Sequence, residues 1–174
     1  MTRYIALLRG INVGGKKILM TDLRDLFTGL GYENVATYIQ SGNVVFSAAT
    51  PEAETRARLE GAIAGTLGLD VAVLVRTVEE MRAIAGSNPF LAAGDDPASL
   101  HVTFLAESPH VSSVDAPPGG HDEFRIAGRE VYLACPDGYG RTKLNNSFWE
   151  RRLKMPATTR NWRTVMTLLE MADQ

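Results

Sequence analysis

The first 76 residues switch between alternating and helical apolar patterns in an order that few sheets accommodate. Arg3-Tyr4-Ile5-Ala6-Leu7-Leu8 reads as a short buried strand that runs directly into the loop Arg9-Gly10-Ile11-Asn12-Val13-Gly14-Gly15-Lys16-Lys17. Thr21 is a helix cap, and Leu23, Leu26, Phe27 and Leu30 then fall on one helical face, with Gly29 and Gly31 as the stop. Val35–Ile39 and Val44–Phe46 predict two strands around a tight turn at Ser41-Gly42. Thr50-Pro51 opens a second helix, with proline at its first position. Its buried face is Leu59, Ala62, Ile63 and Leu67, and Gly68 ends it. The apolar run Val71–Val75 predicts a strand covered on both sides. Together these give β-α-β-β-α-β, the split pattern of a ferredoxin-like fold.

Thr77 and Glu80 form a capping box for a short helix through Ala85. The turn-rich stretch Gly86 to Pro97 marks the boundary, giving an N-terminal half of residues 1–86 and a C-terminal half of residues 87–174. In the second half Leu100, Val102 and Phe104 alternate along a strand, and Ser108-Pro109 opens a single helical turn. Pro117-Pro118-Gly119-Gly120 is a loop. A hairpin turns at Gly128, with Phe124 and Ile126 on one arm and Val131, Leu133 and Cys135 on the other. Two helices finish the chain. One runs from about Leu144 to Leu153, with Thr142 as its cap. The other starts near Thr158 and buries Trp162, Val165, Met166 and Leu169. The second half is thus also α+β, with three strands and no sequence repeat of the first.

An apolar fraction of 45% and a charged fraction of 22% belong to a globular protein and exclude wholesale disorder. The only apolar run near the start, Tyr4–Leu8, is too short for a membrane span or a signal-peptide core. The single cysteine, Cys135, permits no internal disulfide, so a reducing cytoplasm is the expected location. The net charge of −2 is unevenly spread. Residues 1–50 carry five cations against three acids, residues 51–137 six against fourteen, and residues 138–174 seven against three. Avid nucleic-acid binding calls for a basic total as well as a basic patch, and only patches are present. Weak or local contact with a nucleic-acid backbone stays open.

Four segments share turn residues, amides and cations: Arg9 to Lys17, Gln40-Ser41-Gly42-Asn43, Gly138-Tyr139-Gly140-Arg141-Thr142-Lys143, and Thr158-Thr159-Arg160-Asn161-Trp162-Arg163. With Tyr38-Ile39 and Val44-Val45-Phe46 flanking the second and Leu144 closing the third, these motifs resemble the bacterial family known as domain of unknown function 1697. The resemblance spans essentially the whole chain. It implies a cytosolic α+β protein of two small ferredoxin-like halves with antiparallel sheets, and it brings no activity, cofactor or catalytic residue.

The residues themselves point to an anion site. Gly10 to Lys16 fits the letters of a P-loop, yet Lys17 stands where a magnesium-binding Ser or Thr belongs, and the helix starts only at Thr21. An NTPase is therefore rejected. An RNA-recognition module of the same topology stacks bases on aromatics of its central strands, and here those strands offer little beyond Tyr4 and Phe46. His101, His110 and His121 lack metal-site spacing, no paired carboxylates suit acid–base work, and Cys135 reads as an inert core thiol. No cofactor or metal is expected. What remains is a set of groups suited to holding an oxyanion: Arg9, Asn12, Gly14, Gly15, Lys16, Gln40, Ser41, Asn43, Arg141, Thr142, Lys143, Asn146, Arg160, Asn161 and Arg163. In this reading the four segments converge, with two helix N-termini and their arginines facing the anion. The expected partner is a small phosphate-bearing or otherwise anionic ligand. Two alternatives stand beside it. One is an enzyme on such a ligand, with Lys16, Lys143 or Tyr139 as acid or base; the other is a protein-interaction module in which the loops are structural.

Overall fold

A computed structural model of the chain describes residues 1–10, 17–39, 42–111 and 113–174. They form two compact units, one of residues 1–82 with 167–174 and one of residues 83–166.

The first unit contains β1 (Thr2–Leu8), α1 (Met20–Gly29), β2 (Glu33–Tyr38), β3 (Asn43–Ala48), α2 (Glu52–Leu67) and β4 (Val73–Thr77). Its sheet has the order β2-β3-β1-β4, and every neighbouring pair is antiparallel. This is the expected split pattern. Leu23, Leu26 and Phe27 of α1 and Leu59 and Ile63 of α2 pack with Tyr4, Ala6, Leu8, Val44, Phe46, Val73 and Val75 of the sheet. The Phe27 and Phe46 rings meet edge to face at 5.0 Å, a favourable arrangement of their quadrupoles. α2 stops at Gly68, whose φ of 67° is a left-handed conformation that glycine adopts without strain.

Three expectations for this unit need correction. Leu19, not Thr21, precedes the first residue of α1, and Pro51 itself is the N-cap of α2. The Thr50 hydroxyl meets that of Thr55 at 2.6 Å instead of capping the helix. β4 also lies two residues later than Val71–Val75, because Arg76 belongs to the strand. Arg76 is only 1% exposed, and its guanidinium donates to the Val75 carbonyl at 3.0 Å. The capping box is present: the Thr77 amide donates to the Glu80 carboxylate at 2.8 Å and the Glu80 amide to the Thr77 hydroxyl at 3.1 Å. It starts α3 (Val78–Gly86).

The second unit adds α4 (Pro89–Ala92), β5 (Leu100–Leu105), β6 (Glu123–Ala127), β7 (Glu130–Ala134), α5 (Asn146–Leu153), β8 (Ala157–Asn161) and the start of α6 (Trp162–Ala172). Its antiparallel sheet, β6-β7-β5-β8, repeats the positional order of the first: second, third, first, fourth. α5 stands between the third and fourth strands as α2 does. The first crossover, residues 106–122, carries no helix among its described residues, so the turn expected at Ser108-Pro109 is not helical. β6 and β7 join through Gly128-Arg129; Gly128 has φ 58°, the left-handed value a two-residue hairpin takes at its first central position.

The end of the chain departs most from expectation. Residues 157–161 are strand β8 and not the start of a helix, because the β-branched Thr158-Thr159 pair lies along β5. α6 begins at Trp162, and the Asn161 side chain accepts from the Thr164 amide at 2.8 Å. The buried stripe of α6 is Trp162, Val165, Leu168 and Ala172. Met166, assigned to the core from the sequence, is 43% exposed, and Leu169 is half-buried.

The core between α5 and its sheet centres on Trp149, which is fully buried against Phe124 and Phe148 at 5.1 and 4.9 Å. Its indole N–H donates to the Leu144 carbonyl at 3.1 Å. Trp149→Ala should therefore cost about 3–5 kcal/mol of unfolding free energy, read as a lower urea midpoint at unchanged slope. A loss below about 1 kcal/mol would show that this core does not hold the unit together.

Cys135 belongs to the same core and is 1% exposed. Burial, and secondarily the Asp122 carboxylate, push its thiol up to about 11 from the usual 9.0. The folded state thus keeps a proton that the unfolded chain releases, so stability is complete below pH 9 and falls as pH rises towards 11. The fall attributable to this thiol is about 2–3 kcal/mol across that window. Denaturant melts of Cys135→Ala between pH 8 and pH 11 should show a shallower decline than the natural chain; equal slopes refute the assignment.

Candidate functional site

β7 leaves the sheet through Cys135, whose amide donates to the Ser99 carbonyl at 2.8 Å. The Gly138 amide closes a turn onto the Cys135 carbonyl at 3.0 Å. Gly138 holds φ 93° and ψ 147°, a region essentially reserved for glycine. A 3-10 turn over Tyr139–Arg141 and the extended residue Thr142 then lead towards α5. The cap of α5 is Asn145, which accepts from the Phe148 amide at 2.9 Å, and not Thr142.

The segment from Asp137 to Lys143 is laced to the segment from Pro118 to Asp122 by three contacts. The Thr142 hydroxyl donates to Asp122 Oδ2 at 2.6 Å, the Lys143 ammonium donates to the Pro118 carbonyl at 3.1 Å, and His121 Nδ1 lies 3.1 Å from Asp137 Oδ2. Between the two segments is a hollow of about 170 Å³, lined by Gly119, Gly120, Asp122, Asp137, Arg141 and Lys143 among others. Arg141 is exposed, and its guanidinium makes no hydrogen bond or ion pair among the described residues. Behind the rim, the Tyr139 ring stacks on His101 at 4.7 Å and 24°. His101 Nδ1 is buried without a hydrogen-bond partner among the described residues, and burial pushes the imidazole's pKa down.

The sequence-predicted residues separate clearly. Arg141 and Lys143 line the hollow, and Thr142 ties its wall. Asn146 accepts from the Thr159 hydroxyl at 2.6 Å, and that hydroxyl meets Thr103 at 2.7 Å, so Asn146 fastens α5 to β8. Arg160 is not at a helix N-terminus. It lies in β8, 7% exposed, and donates to the Thr158 hydroxyl at 2.7 Å and the Thr159 carbonyl at 3.0 Å. Asn161 caps α6, and Arg163 is exposed in its first turn. Of the two arginines expected at the last helix's N-terminus, Arg160 is thus in a strand and Arg163 alone stands in the first turn.

In the first unit Arg9 is half-buried and its amide donates to the Ala72 carbonyl at 2.9 Å. Asn43 is fully buried, and its side-chain amide donates to the Tyr38 carbonyl at 2.9 Å across the mouth of the hairpin. Asn12, Gly14, Gly15, Lys16, Gln40 and Ser41 lie outside the described residues. Asp122, Asp137, Gly119 and Gly120 were not singled out from the sequence. Their only signal was position: Asp137 abuts the Gly138 segment, and Asp122 follows a Pro-Pro-Gly-Gly loop. Among the described residues no three His, Cys, Asp or Glu side chains are placed to hold a metal, and no helix is long and apolar enough to cross a membrane.

Comparison with known proteins adds a family but no activity. A conserved bacterial protein from Streptococcus pneumoniae has a similar structure, with a TM-score of 0.77 and 26% sequence identity over 100% of this chain and 99% of that one. No curated protein matches the chain. The family described as "Protein of unknown function (DUF1697)" matches residues 1–132, and the chain belongs to that family.

Proposed function

We propose that the protein binds a small ligand through an anionic group, phosphate or carboxylate, in the hollow between residues 116–122 and 137–144. One observation carries this reading: Arg141 lines the hollow with a guanidinium that has no partner among the described residues, while the groups around it are tied to one another. A guanidinium offers a planar fork that matches an oxyanion with two parallel hydrogen bonds. Lys143 adds a second positive charge, and the glycines leave backbone close to the occupant. At about 170 Å³ the hollow is below the ~300–1,000 Å³ of drug-sized pockets, which favours a small molecule over a nucleic-acid strand. The groups of this unit with displaced protonation, Cys135, His101 and Tyr132, lie outside the lining, so the site reads as a binding site before a catalytic one. A lone buried thiol also suits the cytoplasm.

The test is calorimetry and thermal shift with inorganic phosphate, small sugar phosphates and short carboxylates. Arg141→Ala should weaken binding roughly tenfold or more, the loss of one charge-assisted hydrogen bond. Its melting temperature should stay close to that of the natural chain, since the exposed side chain has no partner to lose among the described residues. Arg163→Ala serves as the control and should bind normally. The reading fails if no compound stabilises the protein, or if Arg141→Ala binds as tightly as the natural chain.

A further inference from the structure

We infer that the ligand of this hollow is a zwitterion, an anionic group carried on a short chain with an ammonium at the other end. The inference rests on the anion-site reading above and names its ligand class. The lining holds charges of both signs: Arg141 and Lys143 on one side of the balance, Asp122 and Asp137 on the other. Among the described residues neither cation forms an ion pair with either carboxylate. Asp122 commits Oδ2 to the Thr142 hydroxyl, and Asp137 commits Oδ2 to His121. The Oδ1 atom of each has no hydrogen-bond partner among the described residues. Lys143 is committed to the Pro118 carbonyl.

The four charged residues line one hollow of about 170 Å³, so a small charged occupant meets both signs. A bare anion at Arg141 is therefore also repelled by two carboxylates. Adding an ammonium to the same ligand converts that repulsion into attraction and supplies donors for the Oδ1 atoms of Asp122 and Asp137. Neutral polyols gain the donors without the charge, and dicarboxylates double the repulsion. Amino acids and aminoalkyl phosphates carry the required pair of charges at this scale.

The experiment uses isosteric pairs that differ only in the ammonium: 2-aminoethyl phosphate against propyl phosphate, and glycine against propionate. Titration calorimetry of the full chain should show the ammonium member of a pair bound about tenfold more tightly. In the Asp122→Asn/Asp137→Asn double variant, checked for folding by circular dichroism, that preference should fall below about threefold while the ammonium-free member binds as well or better. Arg141→Ala should weaken both members together. Equal affinity within each pair overturns the inference and leaves the anion site standing, whereas no binding by any of the four compounds or by inorganic phosphate and sugar phosphates removes both. A preference that survives the loss of both carboxylates also overturns it. The comparison on the natural chain decides the matter alone if the double variant fails to fold.

Discussion

A strand at the centre of a sheet has to pair both of its edges, because an unpaired backbone N–H or C=O away from water costs as much as a lost hydrogen bond. That requirement organises both units. β1 is almost wholly inaccessible from Tyr4 to Leu8, and it is satisfied by β3 on one side and β4 on the other. β5 is in the same position between β7 and β8. The candidate site inherits its rigidity from this arrangement. Pairing beside β5 extends one step past β7, through the Cys135 amide to Ser99, and the Gly138 turn hangs directly from that last bond. The rim of the hollow is thus attached to the sheet, although most of its residues belong to no regular element.

The two sheets share a strand order without a repeated sequence, and the difference between them lies in one crossover. The first unit joins its first two strands through α1, which contributes Leu23, Leu26 and Phe27 to the core. The second joins them through residues 106–122, where Pro109, Pro117 and Pro118 remove backbone donors and Gly119 and Gly120 sit at φ 86° and 84°. Such a segment cannot continue as a helix. It instead presents carbonyls, such as that of Pro118, and the Asp122 carboxylate to the segment after β7. The irregular crossover thus supplies one wall of the candidate hollow, Ala116 to Asp122.

Local information was sufficient for most of the first unit. α1, α2 and the capping box at Thr77 and Glu80 declare themselves through apolar spacing and short-range side-chain bonds, which need no knowledge of the rest of the chain. β8 was unreadable for the opposite reason. Thr158-Thr159-Arg160-Asn161 looks like a polar helix start when only the periodic residues after it are considered. Its strand character is set by Thr103, 56 positions earlier, and by the burial of Arg160 against its own backbone. The acids of the hollow were hidden in the same way. Asp122 and Asp137 are ordinary turn residues until the segments that carry them are brought face to face, and nothing in either segment alone states that they will be.

Charge type alone also did not separate a ligand-binding arginine from a structural one. Arg141 and Arg160 both stand in polar, turn-like sequence, yet their guanidiniums face opposite costs on meeting an anion. Arg160 would have to give up its bonds to the Thr158 hydroxyl and the Thr159 carbonyl. Lys143 is intermediate: leaving Pro118 would loosen the wall it closes. Arg141 has no such bond to give up among the described residues, and its backbone is fixed by the Gly138 turn before any ligand arrives. Preorganised backbone with an unspent side chain is the combination that yields affinity, since little ordering remains to be done on binding. On that ground the first contact with an incoming oxyanion falls to Arg141, with Lys143 holding the wall and adding its charge from where it stands.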